Sequence, residues 1–227
     1  MNAEPTQGLR VVPFGERAWL LELGDVIDEA LSERVLAIAA SIEKRRDGGG
    51  LDGVERAVPA YASLLLPFDP RRIEAEAVRA VLEETANRVQ VPSVGARPRS
   101  LVEILVRYGG VDGPDLADVA NRLGRSPDSV VALHAGTTYR VFMLGFAPGF
   151  AYLGTLPDEL SLPRRAEPRT AVPAGSVAIA ARQTAVYPVA TPGGWHLIGR
   201  TDERLWDPSA DPPARLAPGD RVRFVPA

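Results

Sequence analysis

Between Pro148 and Pro226 the chain carries twelve of its 21 prolines. A proline removes a helical hydrogen bond and clashes with the preceding turn, so no long helix can run through this span. The apolar runs in and just before it are short: YRVFML (139–144), SVAIAA (176–181), AVYPVA (185–190), WHLIGR (195–200) and RVRFV (221–225). Runs of that length, rich in β-branched and aromatic residues and punctuated by prolines, fit the strands of a barrel or sandwich. Ahead of them LVEILVRY (101–108) reads as a further strand. Leu116, Val119, Ala120 and Leu123 then form the apolar stripe of a short helix ended by Gly124. Ser126, Pro127 and Asp128 supply the cap, first-turn proline and first-turn acid of a second helix running to about His134. A mostly β domain with two small helices near its start is predicted.

The N-terminal part has a different rhythm. LRVVPF (9–14) and AWLLEL (18–23) make a hairpin around Gly15, Glu16 and Arg17. Leu31, Val35, Ile38, Ala39 and Ile42 recur at helical spacing. The pattern repeats: VERAV (54–58) and YASLLLPF (61–68) read as strands around a break at Pro59. Asp69 and Pro70 then read as N-cap and first residue of a helix that turns Ile73, Ala77, Val81 and Leu82 inward. The predicted class is α+β. Residues 1–90 form a small antiparallel sheet with two helices on one face, 91–100 a Pro- and Gly-containing linker, and 101–227 the β domain.

Composition narrows the chemistry. The 227 residues include no cysteine, which removes disulfides, thiolate metal sites and a cysteine nucleophile. Only Lys44 among the 26 basic residues is a lysine, so Schiff-base chemistry and a phosphate-loop lysine have no natural candidate. Any anion site must use arginine forks, which hold carboxylate or phosphate bidentately. The net charge of −3 does not favour nucleic acid. The first residues lack a basic and an apolar leader segment, and no run approaches a membrane span, so a cytoplasmic location without membrane or nucleic-acid partners is expected.

Gly48, Gly50 and Gly53 satisfy a dinucleotide-loop spacing, but a helix precedes them where a strand is required. The two histidines, His134 and His196, are too far apart in sequence to form a spaced metal pair, and no metal site is expected. His134, at a helix end, reads either as a core histidine or as a proton carrier. GFAPGF (145–150) combines Gly145, Gly149 and Pro148 with Phe146 and Phe150, a loop able to line a pocket or to close a barrel end. PRRAEPRTAVPAGSVAIAARQTAVYP (163–188) concentrates Arg164, Arg165, Arg169 and Arg182 around one acid, Glu167. It reads as an anion-binding segment or a solvated basic loop. In TPGGWHLIGRT (191–201), Trp195 follows a Pro-Gly-Gly turn as pocket floor or core, and Arg200 ends a strand.

GFAPGFAYLG, the arginine-rich segment, TPGGWHLIGRT and WDP (206–208), in that order, closely resemble the family of the 5-oxoprolinase B subunit. That family includes the Kip-type inhibitor of a sporulation histidine kinase and allophanate hydrolase subunit 1, with a carboxyltransferase domain. FGERAWLLELG, VERAVPAYASLLLPFDP and GPDLADVANRLG extend the resemblance over nearly the whole chain. It implies a cyclophilin-like C-terminal barrel. It also implies a subunit of an ATP-dependent complex that opens 5-oxo-L-proline to L-glutamate, inactive alone, with C-type and A-type partner subunits. ATP and Mg²⁺ belong to the complex; no cofactor is expected on this chain alone. The alternatives are a kinase inhibitor and a urea carboxylase-related subunit.

The resemblance places Phe146, Pro148, Gly149, Phe150, Arg165, Arg169, Gln183, Thr184, Trp195 and Arg200 at a substrate site. No catalytic residue is assigned, with His134, Arg169 and Gln183 as candidates. Two departures stand out: ARQT (181–184) replaces a glycine-containing turn, and Glu16 replaces an aspartate.

Overall fold

The computed structural model describes residues 8–89 and 101–227. The chain divides into two compact units, up to Pro98 and from Arg99 onward; the expected linker at 91–100 lies outside the described residues.

The N-terminal unit is a four-stranded antiparallel sheet in the order β1-β2-β4-β3, with both helices on one face. Its elements are β1 (Arg10–Pro13), β2 (Ala18–Glu22), α1 (Glu29–Asp47), β3 (Val58–Ala60), β4 (Ser63–Pro67) and α2 (Ala75–Arg88). Asp28 caps α1 by accepting the Leu31 N–H at 2.9 Å, and Lys44, Arg45 and Arg46 meet the negative end of its dipole. Val35, Ile38 and Ile42 pack on Leu21, Leu64 and Leu66.

Three expectations need correction here. Pro59 is not a break: it sits inside β3, which the sheet places at an edge, where a missing N–H costs no ladder bond. Of the strand expected at 54–58, Val54 makes only an isolated bridge to Phe68 and Val58 opens β3. The second helix starts at Ala75, not at Pro70. The Asp69 carboxylate and carbonyl instead accept the N–H groups of Arg71, Arg72 and Ile73 in a separate turn, and Trp19 Nε1 donates to the Ala75 carbonyl at 2.8 Å. The later start turns Val78, Leu82, Thr85 and Ala86 inward and leaves Ala77 exposed.

The C-terminal unit is a closed seven-stranded barrel in the order β10-β7-β6-β13-β5-β12-β9. Its strands are β5 (Leu101–Tyr108), β6 (Thr138–Leu144), β7 (Ala151–Gly154), β9 (Ser176–Ala180), β10 (Gln183–Val186), β12 (His196–Arg200) and β13 (Arg221–Pro226). β13 and β5 run parallel and the other pairs antiparallel. The helices α3 (Leu116–Arg122) and α4 (Pro127–Ala135) fall where predicted, with Ser126 capping α4. β8 (Arg169–Val172) and β11 (Thr191–Gly193) form a separate two-stranded ribbon.

Alternation along the strands sorts the side chains into two clusters. Val177, Ile179, Val186 and Ile198 join the interior core with Ile104, Val141 and Phe224. Ala178, Ala180, Ala185 and Leu197, from the same strands, face outward against Phe150, Val172, Tyr187 and Trp195. The barrel thus carries a second apolar layer on one outer face.

Candidate functional site

That outer layer gathers the sequence motifs. Three alanines, Ala178, Ala180 and Ala185, make a flat floor from β9 and β10. The rings of Phe150, Tyr152, Tyr187 and Trp195 stand on it in edge-to-face contact, with centroids 5.0–6.0 Å apart. Phe146 meets Phe150 at 5.3 Å and Tyr187 at 6.4 Å. Unlike the others it is 62% exposed, and its φ is +70°. A bulky residue held in the left-handed region is strained, and here the strain presents an aromatic ring to solvent.

Local contacts hold the loop in this shape. Gly145 donates to the Phe150 carbonyl, and Phe150 to that of Ala147. Gly149 has φ +74° and backs onto the 205–214 loop, where an added Cβ would lie 2.8 Å from Trp206 Cβ and 3.2 Å from the Leu205 carbonyl oxygen. Pro148 is exposed at the tip. The 205–214 loop itself lines a cavity of about 360 Å³ with Leu205, Pro212, Pro213, Arg204 and Arg215, which contains none of the predicted site residues. Most of the aromatic cluster is itself buried: Phe150, Tyr187 and Trp195 are covered, and Phe146 is its exposed edge.

The arginines converge next to these rings on a residue that the motifs did not mark. Asp115, 5% exposed at the start of α3, accepts Arg169 Nη1 and Nη2 at 2.9 and 2.8 Å and Arg165 Nη1 at 3.0 Å. It also accepts the Leu197 N–H at 2.7 Å, which ties the arginines to β12. Burial pushes the Asp115 carboxyl up, but the hydrogen bonds from Arg169 and Leu197 and both positive charges outweigh it and hold the group below the ordinary carboxylate value. Arg165 N–H also donates to the Gly194 carbonyl, and Arg169 pairs in register with Gly193, which packs against the Tyr187 hydroxyl. His196, fully buried, donates Nε2–H to the Pro163 carbonyl at 2.9 Å and anchors the start of this segment. Arg164 remains exposed, and Arg182 points elsewhere, to Asp158 at 2.9 Å.

Other predicted residues are spread around the strands. Gln183 pairs in register with Ala180 and shares the outer side with Ala185. Arg200 lies toward the far end of β12, opposite Ser176, and acts on Asp202. Thr184 and His134 face inward. The His134 ring is fully buried, stacked 4.5 Å from Phe224, with Nδ1 2.7 Å from the Tyr108 hydroxyl and Nε2 2.8 Å from Thr184 Oγ1. Thr184 Oγ1 donates its one proton to the Ala178 carbonyl at 3.0 Å, so Nε2 must donate to Thr184 and Nδ1 must accept from Tyr108. Burial lowers the His134 pKa to about 3. The histidine is a neutral strut beneath the floor of the outer face.

Sequence reasoning therefore misses Asp115, Tyr187 and the alanine floor. The available signal is the charge excess of RRAEPR, whose half-buried arginines need a counter-ion. In the sequence Asp115 reads only as part of a helix start.

Residues 9–216 match the family model for the carboxyltransferase domain, subdomains C and D. Over 221 residues, 97% of either chain, the sequence is 45% identical to the 5-oxoprolinase B subunit of Escherichia coli O157:H7. The Bacillus subtilis (strain 168) protein of that name is 39% identical over 95% of this chain and 92% of its own. The chain belongs to the family of the 5-oxoprolinase B subunit. Among solved structures, TTHA0988 superposes with a TM-score of 0.80 at 42% identity over 93% of this chain. The match spans only 40% of TTHA0988, so this family member corresponds to about two fifths of that longer protein. Urea carboxylase of Kluyveromyces lactis shares the fold alone, at TM-score 0.75 and 18% identity over 96% of this chain and 22% of its own. Among the described residues no helix is long and apolar enough to cross a membrane, and no three His, Asp or Glu side chains gather as metal ligands.

Proposed function

We propose that this chain is the B subunit of an ATP-dependent 5-oxoprolinase and supplies one wall of a site that opens 5-oxo-L-proline to L-glutamate. The observation that carries this reading is Phe146: a strained, exposed ring at the edge of an otherwise largely buried aromatic and arginine cluster. A ring that stands exposed at the surface cannot by itself exclude water from a reacting lactam, so a second chain, of the C type, covers Phe146, and an A-type subunit completes the complex. The arginine cluster holds the substrate carboxylate, the exposed Phe146 ring packs on the apolar edge of the lactam, and Gln183 offers a donor toward the lactam oxygen, where negative charge develops. ATP supplies the driving force for ring opening. Its Mg²⁺ has no three-residue acidic site among the described residues. His134 takes no part in proton transfer, because both its nitrogens are engaged in the buried strut.

Co-expression with A-type and C-type partners tests the reading. Glutamate should form from 5-oxoproline and ATP only when all three chains are present. A stable complex that forms none would refute it. Leu101 and Leu105, about half exposed on the outer side of β5, would then favour the Kip-type alternative, binding of a kinase helix.

A further inference from the structure

We infer that Asp115 divides the work between its two arginines, fixing Arg169 as a strut and leaving Arg165 to take a monoanionic carboxylate in preference to a phosphate dianion. The inference rests on the same outer-face site, but neither on turnover nor on the partner chains.

Donor counting carries it. A guanidinium offers five N–H groups, and a carboxylate about four acceptor positions. Arg169 spends both of its Nη groups on Asp115 as a fork. Arg165 gives Asp115 a single Nη1 bond, its side chain is 30% exposed, and its Nε is buried with no hydrogen-bond partner. Four bonds reach Asp115: three from the arginines and one from the Leu197 N–H. The acid is saturated, so it has nothing left for a ligand donor; Arg169 keeps three N–H groups but is fixed at both Nη, whereas Arg165 keeps four and is held at one, so the more adaptable spare donors lie with Arg165. A buried N–H without a partner is unfavourable by about 1–3 kcal/mol, and a carboxylate toward which the partly exposed Arg165 side chain turns relieves that penalty.

Charge counting sets the class of anion. Within the hydrogen-bonded cluster two guanidinium groups against one carboxylate leave one positive charge, the neighbouring Arg164 being exposed and screened by solvent. One charge neutralises a carboxylate such as that of 5-oxoproline and leaves a phosphate dianion half compensated. Asp115 is thus a positioning and specificity residue that acts through Arg165.

The arginine Nε–H signals of the full ¹⁵N-labelled chain report this directly. 5-oxo-L-proline should shift the Arg165 signal, identified by its loss in Arg165→Gln, and saturate it at a concentration at least ten-fold lower than inorganic phosphate does. Asp115→Asn, which raises the net charge to two, should reverse that order; adding Arg165→Gln in the same chain should abolish the titration. Arg169→Gln should lower the melting temperature, whereas Arg165→Gln should leave it within a degree or two. Movement of the Arg169 signal instead, no response to either anion, or an unchanged order in Asp115→Asn would each overturn the inference. Should Asp115→Asn not fold, loss of the titration in folded Arg165→Gln decides. A complex that fails to release glutamate while this titration behaves as described would refute the 5-oxoprolinase reading and leave the anion site standing.

Discussion

His134 is bound at both nitrogens by groups whose proton directions follow from one carbonyl, and its ionisation is therefore tied to unfolding. Its folded pKa of about 3 lies below the ordinary 6.5 because burial opposes the charged form. The unfolded chain takes up the proton first, so this contribution to stability is complete above about pH 6.5 and is lost as the pH falls toward 3. Between pH 6 and 4.5, before most carboxylates titrate, wild-type stability should fall by up to about 1.4 kcal/mol per pH unit. His134→Gln should lose that slope in urea unfolding measured across the window; an unchanged slope would place the proton elsewhere. Ala181 gives a second test at this scale. Its φ is +50° in the turn between β9 and β10, where the resemblance leads one to expect glycine. The side chain is exposed and makes no packing contribution to lose. Ala181→Gly should raise unfolding free energy by about 1 kcal/mol, the left-handed penalty outweighing the added freedom of the unfolded chain. Neither feature is visible in sequence. Spacing shows that the histidines are not a metal pair, but the direction of a hydrogen bond depends on what the fold brings to each nitrogen.

Elements are legible where one periodicity governs them. The stripes of α1 and α3, the capping residues of α4, and the short β runs between prolines correspond to elements packed on single cores. Legibility fails where a tertiary contact overrides a local signal: Asp69 and Pro70 look like a helix start, yet the hydrogen bond from Trp19 to Ala75 helps fix α2 five residues later. β7 and β8 are not separately marked, because each is four residues long and defined by its ladder partners rather than by pattern. Barrel closure is likewise a matter of register. Where β12 meets β5, Gly199 pairs with Tyr108, and an added Cβ would lie 2.6 Å from Val106 Cγ1 and 2.8 Å from the Arg107 carbonyl oxygen. Gly199→Ala should cost about 1–3 kcal/mol in chemical unfolding through overpacking at this seam. A variant as stable as wild type would show that β5 and β12 can part without loss of the barrel.

At the scale of the whole molecule, two units with separate apolar cores are readable from the change of rhythm along the chain, while the function belongs to an assembly whose other surfaces this sequence does not encode. The motifs name a family and hold most residues of the candidate cluster; they cannot reveal that the arginines are clamped by Asp115, or that Phe146 is the exposed edge of an otherwise largely buried aromatic cluster. Phe146 is where that incompleteness is most exposed to test. It touches Phe150 and Tyr187 only by ring edges and leaves most of its surface in solvent, so Phe146→Ala should alter the stability of the isolated chain by less than about 1 kcal/mol, with relief of backbone strain offsetting part of the lost contact. In the complex the same ring is expected to lie at the centre of a covered face, where a buried aromatic typically contributes about 2 kcal/mol, or some thirty-fold in Kd. Calorimetric titration of the C-type partner should therefore show that loss with the melting temperature nearly unchanged. Wild-type affinity together with wild-type turnover would mean that the ring faces solvent in the working enzyme, and its strained conformation would then need a different explanation from partner binding.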